Sequence, residues 1–101
     1  MASEVGWYRG RLEIGNLTSE EIEEDFEEIK EYLHNREDMR HLKVEFDVPN
    51  GKAFIDIEFL AFNMSAAGAM IQNTVSSIMY ASIRNIDDVY LDVLSVEACQ
   101  S

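Results

Sequence analysis

Apolar and polar residues alternate with period two near the start of the chain. Tyr8, Leu12 and Ile14 fall on one side, and Trp7, Arg9, Arg11 and Glu13 on the other, with Gly10 between. This predicts a half-buried strand over Gly6–Ile14, broken by Gly15-Asn16. The period then lengthens. Ile22, Phe26, Ile29 and Leu33 recur at helical spacing, with Tyr32 beside them, and predict a helix over Thr18–His34. Thr18 reads as its N-cap and Glu21 closes a capping box, while Leu17 and Ile22 form a hydrophobic staple.

Alternation returns in Leu42, Val44, Phe46 and Val48 against His41, Lys43, Glu45 and Asp47, and predicts a strand over His41–Val48. Pro49-Asn50-Gly51-Lys52 is a turn, and a second strand follows over Ala53–Phe62 with Ala53, Ile55, Ile57, Phe59 and Ala61 on one face. A tight hairpin that keeps both apolar faces together pairs Phe46 with Ile55 and Val44 with Ile57. A second helix is expected over Ser65–Ile83, capped by Asn63 or Ser65, with Ala67, Ile71, Val75, Ile78 and Ser82 inward. Val89, Leu91 and Val93 open a last strand over Val89–Val96.

The predicted order is βαββαβ. Two β-α-β units joined by a hairpin imply an α+β fold of the ferredoxin-like type, a four-stranded antiparallel sheet with two helices on one face. That architecture hosts many unrelated functions and points to none. The length of 101 residues suits one core, so a single domain over residues 1–101 is expected.

Composition adds charge to this picture. Twenty acids against eight bases leave a net charge of −12. A chain this acidic is repelled by nucleic acids and anionic membranes, and basic protein surfaces are its favoured partners. The acids are concentrated. Between Leu17 and Leu33 eight acids meet one base, Lys30, a local charge of −7. Like charges meet at i,i+4 five times, which destabilises an isolated helix by about 1–2.5 kcal/mol. A docking surface for a basic partner accounts for such a face, with Glu20, Glu24, Glu27, Glu28 and Glu31 as its candidate residues; so does a solubility device. Inhibitor or immunity-type proteins that imitate nucleic acid use charge in this way.

A second segment is the opposite. Phe59–Ile83 is a run of 25 residues with no charge, too rich in Asn, Gln, Ser and Thr for a membrane span. Ala66, Ala69, Asn73, Ser76, Ser77 and Tyr80 fall on the outer side of the predicted helix. On the outer face of the predicted sheet lie Trp7, Phe54, Leu60, Phe62, Tyr90 and Leu94. Uncharged and apolar outer faces are usually covered by a tail, a subunit or a ligand; a homodimer is the expected cover, with the C-terminal tail as the other candidate for the sheet. Self-association is therefore assigned to Phe54, Leu60, Phe62, Tyr90 and Leu94.

Candidate chemistry is thin. His34 and His41 have neither zinc spacing nor a nucleophile beside them, and the glycines do not form a phosphate loop. Asp56 and Glu58 stand on one strand face about 7 Å apart. They read as a solvated face partnered by Arg9 or Arg11 before they read as an acid–base pair. No catalytic residue, metal or cofactor is expected. The single cysteine, Cys99, forms no internal disulfide and is expected in a C-terminal tail without a basic neighbour, in a reducing, cytoplasmic setting.

Overall fold

The computed structural model describes residues 5–17, 22–82 and 88–99. Within them the order is β1 (Gly6–Gly15), α1 (Ile22–His34), β2 (Met39–Asp47), a short 3-10 turn (Val48–Asn50), β3 (Lys52–Ala61), α2 (Met64–Ser82) and β4 (Tyr90–Ala98). The strands form one sheet in the order β2-β3-β1-β4, and every neighbouring pair is antiparallel. The fold is α+β with a four-stranded antiparallel sheet and two helices. The capping box expected at Thr18 and Glu21 lies outside the described residues.

One sheet face and the two helices share a single core. Leu12 and Ile14 pair with Ile55 and Ala53 across β1 and β3, so their side chains lie on one face. Phe26, Ile29 and Leu33 of α1 and Ala67, Ile71 and Val75 of α2 close over that face and are essentially inaccessible to water. Helix α1 packs chiefly over β2, and α2 over β4, β3 and β1. The buried stripe of α2 runs Ala67–Ile71–Val75–Met79, a strict i,i+4 row. Ile78, expected inward, is only half-buried, and Met79 takes the deeper place. Asn63 is the cap of α2: its Oδ1 accepts the Ala66 N–H at 2.8 Å.

The hairpin register departs from expectation. Val44 pairs with Ile55 and Phe46 with Ala53, two residues away from the expected partners. The faces are kept, because a shift of two preserves the period of the side chains. The loop is longer because Pro49 sits in the first turn of the 3-10 segment, where its missing N–H matters least. Gly51 then closes it at φ +63, donating its N–H to the Val48 carbonyl at 3.0 Å. The Leu17 N–H donates to the Gly51 carbonyl at 2.9 Å, which ties the chain ahead of α1 to this turn.

Two bulges break the strand pairings. In β2 the pairing slips between Arg40 and Lys43, with His41 at φ +56. The extra residue lets Met39, 6% exposed, and Leu42 both turn toward the core while Arg40 reaches the outer face. In β4 the slip lies opposite Arg11 and Leu12, with Leu94 as the extra residue, 49% exposed. Strand β4 runs to Ala98, and the Cys99 N–H donates to the Trp7 carbonyl at 2.9 Å. Cys99 therefore continues the sheet, where a loose tail was expected.

Candidate functional site

Burying Phe26, Ile29 and Leu33 fixes which way α1 faces. Glu23, Glu24, Glu27, Glu28 and Glu31 are all turned to solvent. Of the candidate residues, the structure brings Glu24, Glu27, Glu28 and Glu31 onto one exposed surface, and Glu20 lies outside the described residues. Lys30 Nζ meets Glu27 Oε1 at 3.2 Å, an exposed pair of small net value. Glu28 and Glu31 have no cationic partner among the described residues. Glu28, Glu31, Tyr32 and Asn35 surround one shallow depression. On the other side of Glu31, a groove of about 440 Å3 runs between α1 and β2. Glu27, Lys30, Glu31, His34 and Asn35 of α1 and the turn after it line one side, and the half-buried Leu42 and Val44 of β2 the other. Carboxylates, an exposed tyrosine and an apolar side together suit long cationic side chains.

Most bases are elsewhere. Arg9, Arg11, Arg40, Lys43 and Lys52, five of the chain's eight, stand on the outer sheet face, away from α1. There they are interleaved with acids. Arg11 Nη1 bonds Asp56 at 2.6 Å. Arg9 Nη2 and Arg40 Nε bracket Glu58 at 3.0 and 2.8 Å. Lys52 and the Tyr90 hydroxyl approach Glu13 at 3.7 and 2.7 Å. The bond to Glu13 raises the Tyr90 phenol above its ordinary range. The Arg9 and Arg11 pairs to Glu58 and Asp56 are the cross-strand partners expected from the alternation.

Aromatic rings on this face lie beneath guanidinium groups. Arg40 sits 3.8 Å over Trp7, and Arg11 sits 5.0 Å over Phe54. Of the self-association candidates, Phe54, Leu60 and Tyr90 are half-buried, while Phe62 and Leu94 are open at 61% and 49%. The outer face is a charge ladder with covered rings, more polar than its apolar residues alone implied.

Glu58 is the most buried acid of this ladder, 8% exposed. Hydrogen bonds from Arg9, then Arg40, hold its carboxyl below the usual value of 4.5. A general acid at neutral pH needs the opposite shift, so this pairing suits structure better than acid–base work. The thiol of Cys99 lies in the same depression as Arg9, Arg40 and Glu58. Burial pushes its pKa up, and the Glu58 carboxylate pushes the same way against the two arginines. It is held as a thiol, which is the unreactive form. His41 reaches the edge of this cluster, its Nε2 4.0 Å from Glu58, while His34 lines the α1–β2 groove, so the histidines stand apart. Among the described residues no group of three His, Cys, Asp or Glu side chains is placed to hold a metal ion.

A depressed carboxylate gives a pH prediction. The folded state holds Glu58 ionised more tightly than the unfolded chain does. Its contribution is therefore complete above about 4.5 and is lost as pH falls through the lower folded value. Glu58→Gln is expected to cost about 1.5–3 kcal/mol at pH 7, the range for hydrogen bonds to charged groups. The difference between wild type and variant should shrink below pH 4. Urea unfolding at pH 7 and pH 3 checks this, and an equal difference at both pH values would refute the assignment.

Comparison of the chain with protein-family models, curated proteins and solved structures finds no match in any of the three. Among the described residues no helix is long and apolar enough to cross a membrane.

Proposed function

We propose that this chain is a non-catalytic, cytoplasmic binding module that docks onto a basic protein through the exposed face of α1. It resembles inhibitor or immunity-type proteins in charge strategy. The observation that carries this reading is the segregation of charge: the acids of α1 form a continuous exposed surface, while most bases are held in pairs on the opposite side of the sheet. A solubility device needs no such separation, and mixed signs serve it better. The strand order β2-β3-β1-β4 fits a ferredoxin-like arrangement of two interleaved β-α-β units, with α1 at the β2 side of the layer.

The test is a variant with Glu27, Glu28 and Glu31 changed to glutamine. Glutamine has nearly the same helix propensity as glutamate. Three like-charge i,i+4 pairs disappear (Glu23–Glu27, Glu24–Glu28 and Glu27–Glu31), so the free protein should gain about 0.5–1.5 kcal/mol. Capture of a basic partner from the native cell should weaken at least tenfold, mainly through a slower, less salt-sensitive association. Gained stability with full retention of every salt-sensitive partner would return the acidic face to a solubility role.

One observation favours a second reading, a self-associating subunit. The outer side of α2 is open and uncharged, with Ala69, Gln72, Asn73 and Ser77 exposed and Tyr80 67% exposed. Phe62 and Met64, 61% and 48% exposed, continue it past the start of the helix. Light scattering on the same samples separates the two readings: a mass near twice 11.6 kDa supports the dimer, and a clean 11.6 kDa species removes it.

A further inference from the structure

Strand β2 is one of the two edges of the sheet, with β3 on one side and no strand on the other among the described residues. Edge strands are usually blunted by bulges, prolines or charged side chains, and β2 carries Lys43, Glu45 and Asp47 on its outer side. Here the bulge and the left-handed His41 distort only the first part of β2. From Lys43 to Asp47 the strand is regular, each residue facing its partner from Asp56 to Lys52. Five regular residues offer a free row of N–H and C=O groups, enough for an added strand.

The groove beside this edge has a defined chemistry. Helix α1 lies over β2 and supplies Glu27 and Glu31 above the edge, while Leu42 and Val44 form the apolar side. A strand laid along β2 would point alternate side chains into that space. A lysine or arginine there buries its aliphatic stem on Leu42 and Val44 and carries its charge to the carboxylates. An aspartate or glutamate would meet like charge, and a short apolar side chain would leave the carboxylates unmatched. Lys30, held by Glu27 across a 71% exposed carboxylate, is a partner that an incoming cation can displace.

We infer that the α1–β2 groove binds an extended basic segment of a partner protein by strand addition to Lys43–Asp47, with lysine or arginine at alternate positions reaching Glu27 and Glu31. This rests on the docking role proposed for α1 and gives it a recognition mode. An added strand takes affinity from main-chain bonds and specificity from every second side chain.

The test uses the whole chain and an acetylated, amidated heptapeptide of alternating lysine and threonine at low salt. Two further versions carry N-methyl groups, one on every lysine nitrogen of the backbone and one on every threonine nitrogen. In a strand alternate amides face opposite sides, so one version should lose at least tenfold in affinity and the other should bind nearly as the parent does. Amide shifts in NMR should concentrate at residues 42–47, and the Glu27→Gln, Glu31→Gln double variant should bind about tenfold more weakly. If both methylated peptides bind like the parent, the attraction is charge alone and strand addition is refuted, while the docking role of α1 stands. If the parent peptide does not bind, the groove assignment falls, and the docking role is still decided by salt-sensitive capture of the native partner. If the free protein is a dimer whose β2 amides are already protected, a second copy occupies the edge, and the inference is overturned.

Discussion

Replacing Phe26 with alanine is expected to lower the unfolding free energy by about 3–5 kcal/mol, the range for removing a buried aromatic ring. Phe26 is fully buried and meets Phe46 edge-on, with ring centroids 5.2 Å apart and planes at 80°. Such a pair adds about 0.5–1.5 kcal/mol beyond the area it buries. A domain of this size has roughly 5–15 kcal/mol in all, so the loss is a large part of the total. It also falls on the element proposed to bind. Phe26, Ile29 and Leu33 hold α1 to the sheet, and the acidic face is oriented only while they do. Urea unfolding gives the stability, and partner capture should fall with the ordered fraction of α1. A loss under about 1 kcal/mol would mean that the site refills, against the tight packing described above.

Gly51→Ala is expected to cost about 2–3 kcal/mol, although it adds only one methyl group. Gly51 stands at φ +63, where a residue with a Cβ is disfavoured by roughly 1–2 kcal/mol. The added Cβ would also lie 2.7 Å from the Leu17 carbonyl oxygen. That atom is backbone and cannot swing aside as a side chain can. The turn must move, and the bond from the Leu17 N–H to the Gly51 carbonyl moves with it. The same change should therefore disturb the connection from β1 to α1, not the hairpin alone. Thermal unfolding measures the cost, and amide exchange at Leu17 shows where it falls. An unchanged Leu17 amide would confine the effect to the hairpin and separate α1 from the turn.

The alternation in Leu12–Ile14 and Ile55–Phe59 and the helical spacing of Phe26, Ile29 and Leu33 were enough to name β1, β3 and α1 and their inner faces. Period alone sets which side of a strand or helix is apolar. Two salt bridges of the outer face followed from the same reasoning, since Arg9 and Arg11 stand opposite Glu58 and Asp56 once β1 and β3 are neighbours. The acidic face of α1 was legible because its opposite side had to be buried. The bulge in β2 left a faint trace: Met39 and Leu42 are both inward but out of step with a period of two, and the expected strand began inside it, at His41.

The hairpin register was a matter for the tertiary structure. A shift of two leaves every side chain on its own face, so hydrophobic pattern cannot distinguish the two pairings. Pro49, and the bond between Gly51 and Leu17 of the segment that follows β1, select the longer loop. Arginines over Trp7 and Phe54 were likewise invisible, because covering a ring depends on where long side chains from neighbouring strands come to rest. The groove is the clearest case. Leu42 and Val44 read as ordinary inward strand residues, and Glu27 and Glu31 as docking candidates on a helix face with no strand beside it. They become one surface only because β2 is an edge of the sheet and α1 lies over it. Strand order and helix placement are choices made by the packing of the whole core, and no local pattern contains them.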